Sequence, residues 1–131
     1  MGWRSIKLDK ADIAFSLYIR LRDGKCVYCG KLGTPDKEGR CIKGLDTSHF
    51  WGRRRESVRY DPQNADTLCR YHHQYFGSNP GEYAEWKLAQ LGQKEYDLLQ
   101  MRAETYKKKD RKMSYLSIKG LLQELQGFRE K

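Results

Sequence analysis

The sequence predicts an α+β fold that is mostly helical, with a small strand–strand–helix core flanked by helices. Three observations predict it. Apolar residues recur at helical spacing before residue 24 and after residue 79. Between these regions lie two short stretches of strand character, 45–50 and 66–68. Two pairs with a two-residue gap, Cys26-x-x-Cys29 and Cys69-x-x-His72, sit on either side of the strands. The chain therefore reads as one domain in three parts: an N-terminal helix (9–24), a stapled core (25–78) and C-terminal helices (79–131).

The first helix spans 9–23, because Ala14, Leu17, Tyr18 and Leu21 share a face, Asp9 suits the N-cap and Gly24 the stop. Residues 25–30 form a tight cysteine turn, in which Gly30 suits the bend that aims backbone amides at sulfur. Glycines, Pro35 and mixed charges mark 31–44 as a loop. The strand at 45–50 leads into a polar, arginine-rich loop at 52–64, then a second short strand and a helix starting near Cys69. Asn79-Pro80-Gly81-Glu82 is a helix start, with Asn as cap, Pro in the first turn and Glu three residues after the cap. Tyr83, Trp86 and Leu91 give that helix its apolar side, and Gly92 ends it. A further helix at 94–107 carries Tyr96, Leu99, Ala103 and Tyr106. After a basic break at 107–112, the last helix places Tyr115, Ile118, Leu121, Leu122, Leu125 and Phe128 on one face. That face fits either a homodimer or closure of the core.

With 38% hydrophobic and 33% charged residues, a 131-residue chain builds a lean core, so an added staple is expected. No apolar run reaches membrane-span length, and Arg4, Lys7, Asp9 and Lys10 break any secretory pattern. The expected setting is intracellular, where paired cysteines favour zinc over disulfides. Twenty-six Lys and Arg against 17 Asp and Glu give a net charge of +9, which points to a polyanionic partner such as nucleic acid.

Zinc takes about four ligands in a tetrahedron, and a two-residue gap lets one turn present two of them. Cys26, Cys29, Cys69 and His72 fit a structural zinc knuckle. Cys41 offers an alternative to His72 as fourth ligand; the paired spacing favours His72 and leaves Cys41 as a small core residue.

Three segments then carry a resemblance: 45–50 (Leu-Asp-Thr-Ser-His-Phe), 59–64 (Arg-Tyr-Asp-Pro-Gln-Asn) and 68–73 (Leu-Cys-Arg-Tyr-His-His). In this order, with the preceding Cys pair, they resemble the HNH (His-Me finger, ββα-metal) endonuclease family. The likeness is to zinc-containing phage and prophage members, including the NinG/Rap-type recombination endonucleases. It covers about 25–92. The resemblance implies a metal-dependent DNA endonuclease with His49 as general base and Asn64 as the residue that holds it in line. It also implies that His73 ligates a catalytic Mg²⁺ or Mn²⁺. Many such enzymes carry an acid or histidine immediately before the base as the other ligand of that cation, where this chain has Ser48; Asp46, two residues earlier on the same strand face, could substitute as ligand, and Ser48 could otherwise supply a weaker, water-mediated contact.

The residue chemistry agrees with that implication. A neutral imidazole can take a proton from water at working pH, and a divalent cation stabilises the leaving oxygen. Arg53, Arg54, Arg55 and Arg59 follow His49 in the loop, and guanidinium groups suit bidentate contact with the DNA phosphate backbone. Trp51 and Tyr60 read as anchors of that loop, and Tyr83, Trp86 and Tyr96 as packing. Branched recombination intermediates are expected substrates through the resemblance alone, in the cytoplasm or nucleoid of a bacterial or phage-infected cell. The alternative reading is a non-catalytic zinc-stabilised module that binds nucleic acid.

Overall fold

A computed structural model describes residues 8–105 and 107–130, with side chains described as far as residue 126. Tyr106 and the Phe128 side chain, which the sequence puts on helix faces, lie outside the described residues. Helix α1 (Lys10–Asp23) begins at an Asp9 cap whose side chain accepts from the Asp12 N–H, while the Asp12 carboxylate accepts from the Asp9 N–H. This reciprocal box satisfies two of the amides that a helix start leaves without partners. Gly24 closes the helix at φ 70, a left-handed conformation in which a side chain would be strained.

The stretch 31–44 is not a plain loop. It holds a two-stranded hairpin, β1 (Thr34–Pro35) and β2 (Cys41–Lys43). Asp36 organises its turn, accepting from the Glu38 and Arg40 N–H groups and from Arg40 Nε. Gly33 allows the close return: a Cβ there would lie 2.5 Å from the Cys41 carbonyl oxygen. Ile42 turns inward, whereas Cys41 faces solvent and is not the small core residue that its neighbours in sequence imply.

The central hairpin pairs β3 (Leu45–His49) with β4 (Ala65–Cys69), antiparallel, with Ser48 opposite Asp66 and His49 opposite Ala65. Between them the chain makes two short 3₁₀ turns, Glu56–Val58 and Pro62–Asn64. Four helices follow: α2 (Arg70–Ser78), α3 (Pro80–Leu91), α4 (Gln93–Glu104) and α5 (Arg111–Glu130). Asn79 does not cap α3 with its side chain, which instead donates to the Tyr75 carbonyl at the end of α2.

The hairpin lies between helices. On one face, Thr47 bonds Ser16 and the His49 ring lies against Phe15, both on α1. On the other face, Asp46 meets His73 of α2 and Ser48 meets Tyr83 of α3. Period-two alternation divides these side chains. Phe15, Ile19 and Ala65 are buried with Ile118 of α5, so the apolar side of the last helix closes on α1. A second cluster joins Leu68, Phe76 and Tyr83 around the cysteines, and a third packs Val58 of the loop against Leu99 and Ala103 of α4. Fully burying side chains of this size stabilises by roughly 1.5–3 kcal/mol each. No helix among the described residues is long and apolar enough to cross a membrane.

Candidate functional site

The two Cys/His pairs converge. The ligand atoms of Cys26, Cys29, Cys69 and His72 all lie within 4.8 Å of one another, so these residues could hold a metal ion such as zinc. Cys26 follows α1, and the Val27 N–H donates to the Thr67 carbonyl, which ties the turn to β4. Cys69 ends β4, and His72 sits on the first turn of α2 with Nδ1 3.3 Å from Cys69 Sγ. Burial pushes the Cys26 thiol up, but the backbone N–H groups of Cys29, Cys69 and Tyr28 outweigh it and hold the thiol below its ordinary value. At Cys29 the Lys31 N–H acts downward, yet burial and the Cys26 and Cys69 sulfurs prevail, and that thiol is raised. Sulfurs crowded as closely as Cys29 and Cys69, 3.8 Å apart, repel as thiolates, and a divalent cation relieves that repulsion. Cys41, on β2, stands outside the cluster.

His49 ends β3, where its Nε2 lies 3.1 Å from the Arg59 carbonyl oxygen. A carbonyl only accepts, so Nε2 carries the ring proton and Nδ1 keeps its lone pair. Nδ1 has no hydrogen bond to protein among the described residues. Burial, then the Arg53 charge, pushes the imidazole down to about 4, so the ring is neutral near pH 7. Arg53 is half-buried, and its Nε is sealed from solvent without a hydrogen-bond partner. A buried donor without an acceptor is costly.

Asn64 is fully buried and works across the loop. Its Oδ1 accepts from the Trp51 N–H, and its Nδ2 donates to the carbonyls of Trp51 and Val58. It does not touch the His49 ring. It holds the two chain segments on either side of it: Trp51 lies two residues after His49, and Val58 lies next to Arg59.

The four loop arginines separate. Arg54 and Arg55 are exposed, with the Arg55 guanidinium over the Trp51 ring at 5.5 Å. Arg59 is not on the surface where a phosphate would reach it. Its side chain is 4% exposed, forked onto both Asp12 oxygens at 2.8 and 2.7 Å and bonded to Glu56 at 3.0 Å. The acids won because Asp12 of α1 faces the loop, which puts a buried carboxylate opposite the guanidinium.

The residues expected around a catalytic cation also separate. His73 Nδ1 is 3.0 Å from Asp46 Oδ2, with Arg70 3.5 Å from the other oxygen. Ser48 is buried on the same strand face but belongs to a different network. Tyr83 Oη lies 2.8 Å from Asp66 Oδ2 and 3.0 Å from Ser48 Oγ. The single phenol proton goes to the carboxylate, so Ser48 donates to Tyr83. Lys87 completes this network with two 3.0 Å bonds to Asp66, both side chains being 1% exposed. Ser48 is thus engaged in the interior, and Asp46 with His73 faces away from His49. Asp12, Glu56, Asp66 and Lys87 escaped the sequence reading; the one signal was Asp12, whose placement as a cap partner conceals its second role.

No protein-family model, curated protein or solved structure matches this chain.

Proposed function

We propose that this chain is a DNA endonuclease that hydrolyses phosphodiester bonds with His49 as general base. The observation that carries the reading is the His49 ring, neutral at pH 7, with Nε2–H held by the Arg59 carbonyl and Nδ1 left open. In this reaction Nδ1 takes a proton from water, the water oxygen bonds to phosphorus, the bond to the leaving 3′-oxygen breaks, that oxygen takes a proton from solvent, and His49 returns its own to solvent. Arg53, half-buried and with its charge felt by the His49 ring, is the residue suited to receive the phosphate oxygen through its terminal guanidinium nitrogens. Arg54 and Arg55 extend the contact along the DNA backbone, giving strong salt dependence and little sequence readout.

A base held at about 4 is weaker than one poised near the working pH. A phosphate on Arg53 offsets part of that cost, because the anion cancels the charge that lowers the ring. Mg²⁺ or Mn²⁺, implied by the resemblance, would neutralise phosphate charge when bound. Asp46 and His73 have the donor chemistry for such an ion, but they lie on the face opposite His49 and Ser48 does not join them. The zinc-type cluster fits a structural role, since all four ligand positions come from protein. Junctions and other branched DNA remain the substrates that the resemblance favours.

That separation of Asp46 and His73 from His49 is also what favours the second reading, a zinc-stabilised nucleic-acid-binding module without catalysis. Cleavage of supercoiled plasmid and of a synthetic four-way junction, with Mg²⁺, Mn²⁺ or EDTA, decides between them. The nuclease reading expects metal-dependent cutting that disappears in His49→Ala at equal zinc content. DNA binding by folded wild type with no cutting of either substrate would overturn it in favour of the binding module.

A further inference from the structure

Asp12 does more than cap a helix. A cap partner needs one oxygen, yet this carboxylate, 3% exposed, accepts the Asp9 N–H and both arms of the Arg59 fork. Arg59 in turn donates its third nitrogen to Glu56, and Glu56 receives Arg111 of α5 through both oxygens, at 2.9 and 2.7 Å. Arg111 also bonds the Tyr60 hydroxyl and lies 3.4 Å from Asp9. The four charged side chains form a continuous clamp from α1 through the loop to α5. At its centre is the residue whose carbonyl oxygen meets His49 Nε2. Fixing the Arg59 side chain on three sides fixes the peptide that carries this carbonyl. Among the described residues, no other hydrogen bond to the His49 ring nitrogens sets the tautomer.

We propose that Asp12, Glu56 and Arg111 are positioning residues for His49: acting through Arg59, they hold the carbonyl that binds Nε2–H and so keep Nδ1 as the nitrogen offered to substrate. Their effect on turnover rests on the nuclease reading; their effect on the ring does not. The C-terminal helix thereby becomes part of the site without touching it. Loss of Arg111 leaves the buried Asp12–Arg59 fork in place but frees its outer end, so Arg111→Ala tests the device without removing its core.

The test is a long-range ¹H–¹⁵N correlation of the histidine rings in the zinc-loaded full chain near neutral pH, with plasmid-cleavage kinetics alongside. Wild type should show His49 as the single Nε2–H tautomer. Arg111→Ala should show a mixture with the Nδ1–H form and a fall in kcat of about tenfold at unchanged KM, and Asp12→Asn, where folded, about a hundredfold. Arg111→Lys should recover part of both signals. An unchanged Nε2–H tautomer in folded, zinc-loaded Arg111→Ala and Asp12→Asn would overturn the role. So would an Nδ1–H ring in wild type. A tautomer change in a chain that cuts no DNA would retain the clamp and discard the nuclease reading.

Discussion

Replacing His49 with a side chain that does not titrate tests its environment independently of any activity. Holding the ring at about 4 against its ordinary 6.5 means that the fold disfavours the charged form. The unfolded chain then binds a proton that the native chain refuses, so stability is complete above 6.5 and falls as pH drops through 6.5 toward 4. At ~1.36 kcal/mol per pH unit the full loss is about 3 kcal/mol, of which about 2 falls between about pH 7 and about pH 5. His49→Gln lacks this loss. Urea unfolding of both proteins at the two pH values gives the comparison, since titration of the zinc-type ligands and carboxylates is common to both and cancels. Wild type should lose about 2 kcal/mol more than the variant on going to the lower pH. Equal losses, within ~0.5 kcal/mol, would refute the claim that His49 is neutral because it is buried beside Arg53.

Other outcomes follow from the same geometry. Cys69→Ser should lose bound zinc and cooperative unfolding, whereas Cys41→Ser should keep about one zinc per chain, as read by metal analysis and circular dichroism. Lys87→Met removes the charge partner of the buried Asp66 carboxylate, leaving it the Tyr83 and Gln90 hydrogen bonds, and should cost about 3 kcal/mol in urea unfolding, with part of it recovered when Asp66→Leu is added. In plasmid cleavage, the acid limb of kcat should lie above that of kcat/KM, because bound phosphate cancels the Arg53 charge that the free enzyme's ring still feels. Arg53→Ala and Arg55→Ala should each lower the salt slope of DNA binding by about one.

Much of the frame was legible in sequence because its signals are local. Asp9 and Gly24 mark α1 through cap chemistry, and the observed helix keeps both. Paired Cys/His spacing placed four ligands that the fold brings together. What escaped reading depends on partners distant in sequence. The Asp36 turn hid a hairpin whose strands are only two and three residues long, too short for alternation to register. Ser48 looked available because its partner Tyr83 lies 35 residues away on a helix whose aromatic residues read as packing. Asp66 and Lys87, 21 apart, carry no local signal of their pairing, since charged residues are seldom buried unless paired and this pairing is tertiary.

Arg59 shows why charge read from composition misplaces function. In sequence it is the last of four loop arginines and counts toward the +9 that implies a polyanion. In the fold its charge is matched by Asp12 and Glu56 and withdrawn from solvent, so it adds nothing to the surface field a phosphate would meet. Its backbone does the work instead, presenting the carbonyl that orients His49. In the proposed nuclease the charge this loop offers to DNA therefore rests on residues 53–55, and among them Arg53 alone pairs proximity to His49 with a donor left unsatisfied. The proposed reading thus divides the basic run into a scaffold arginine and arginines that would contact DNA. Arg59→Lys separates the two roles: it keeps the charge, loses the fork, and should disturb the His49 tautomer while leaving the salt slope of binding unchanged.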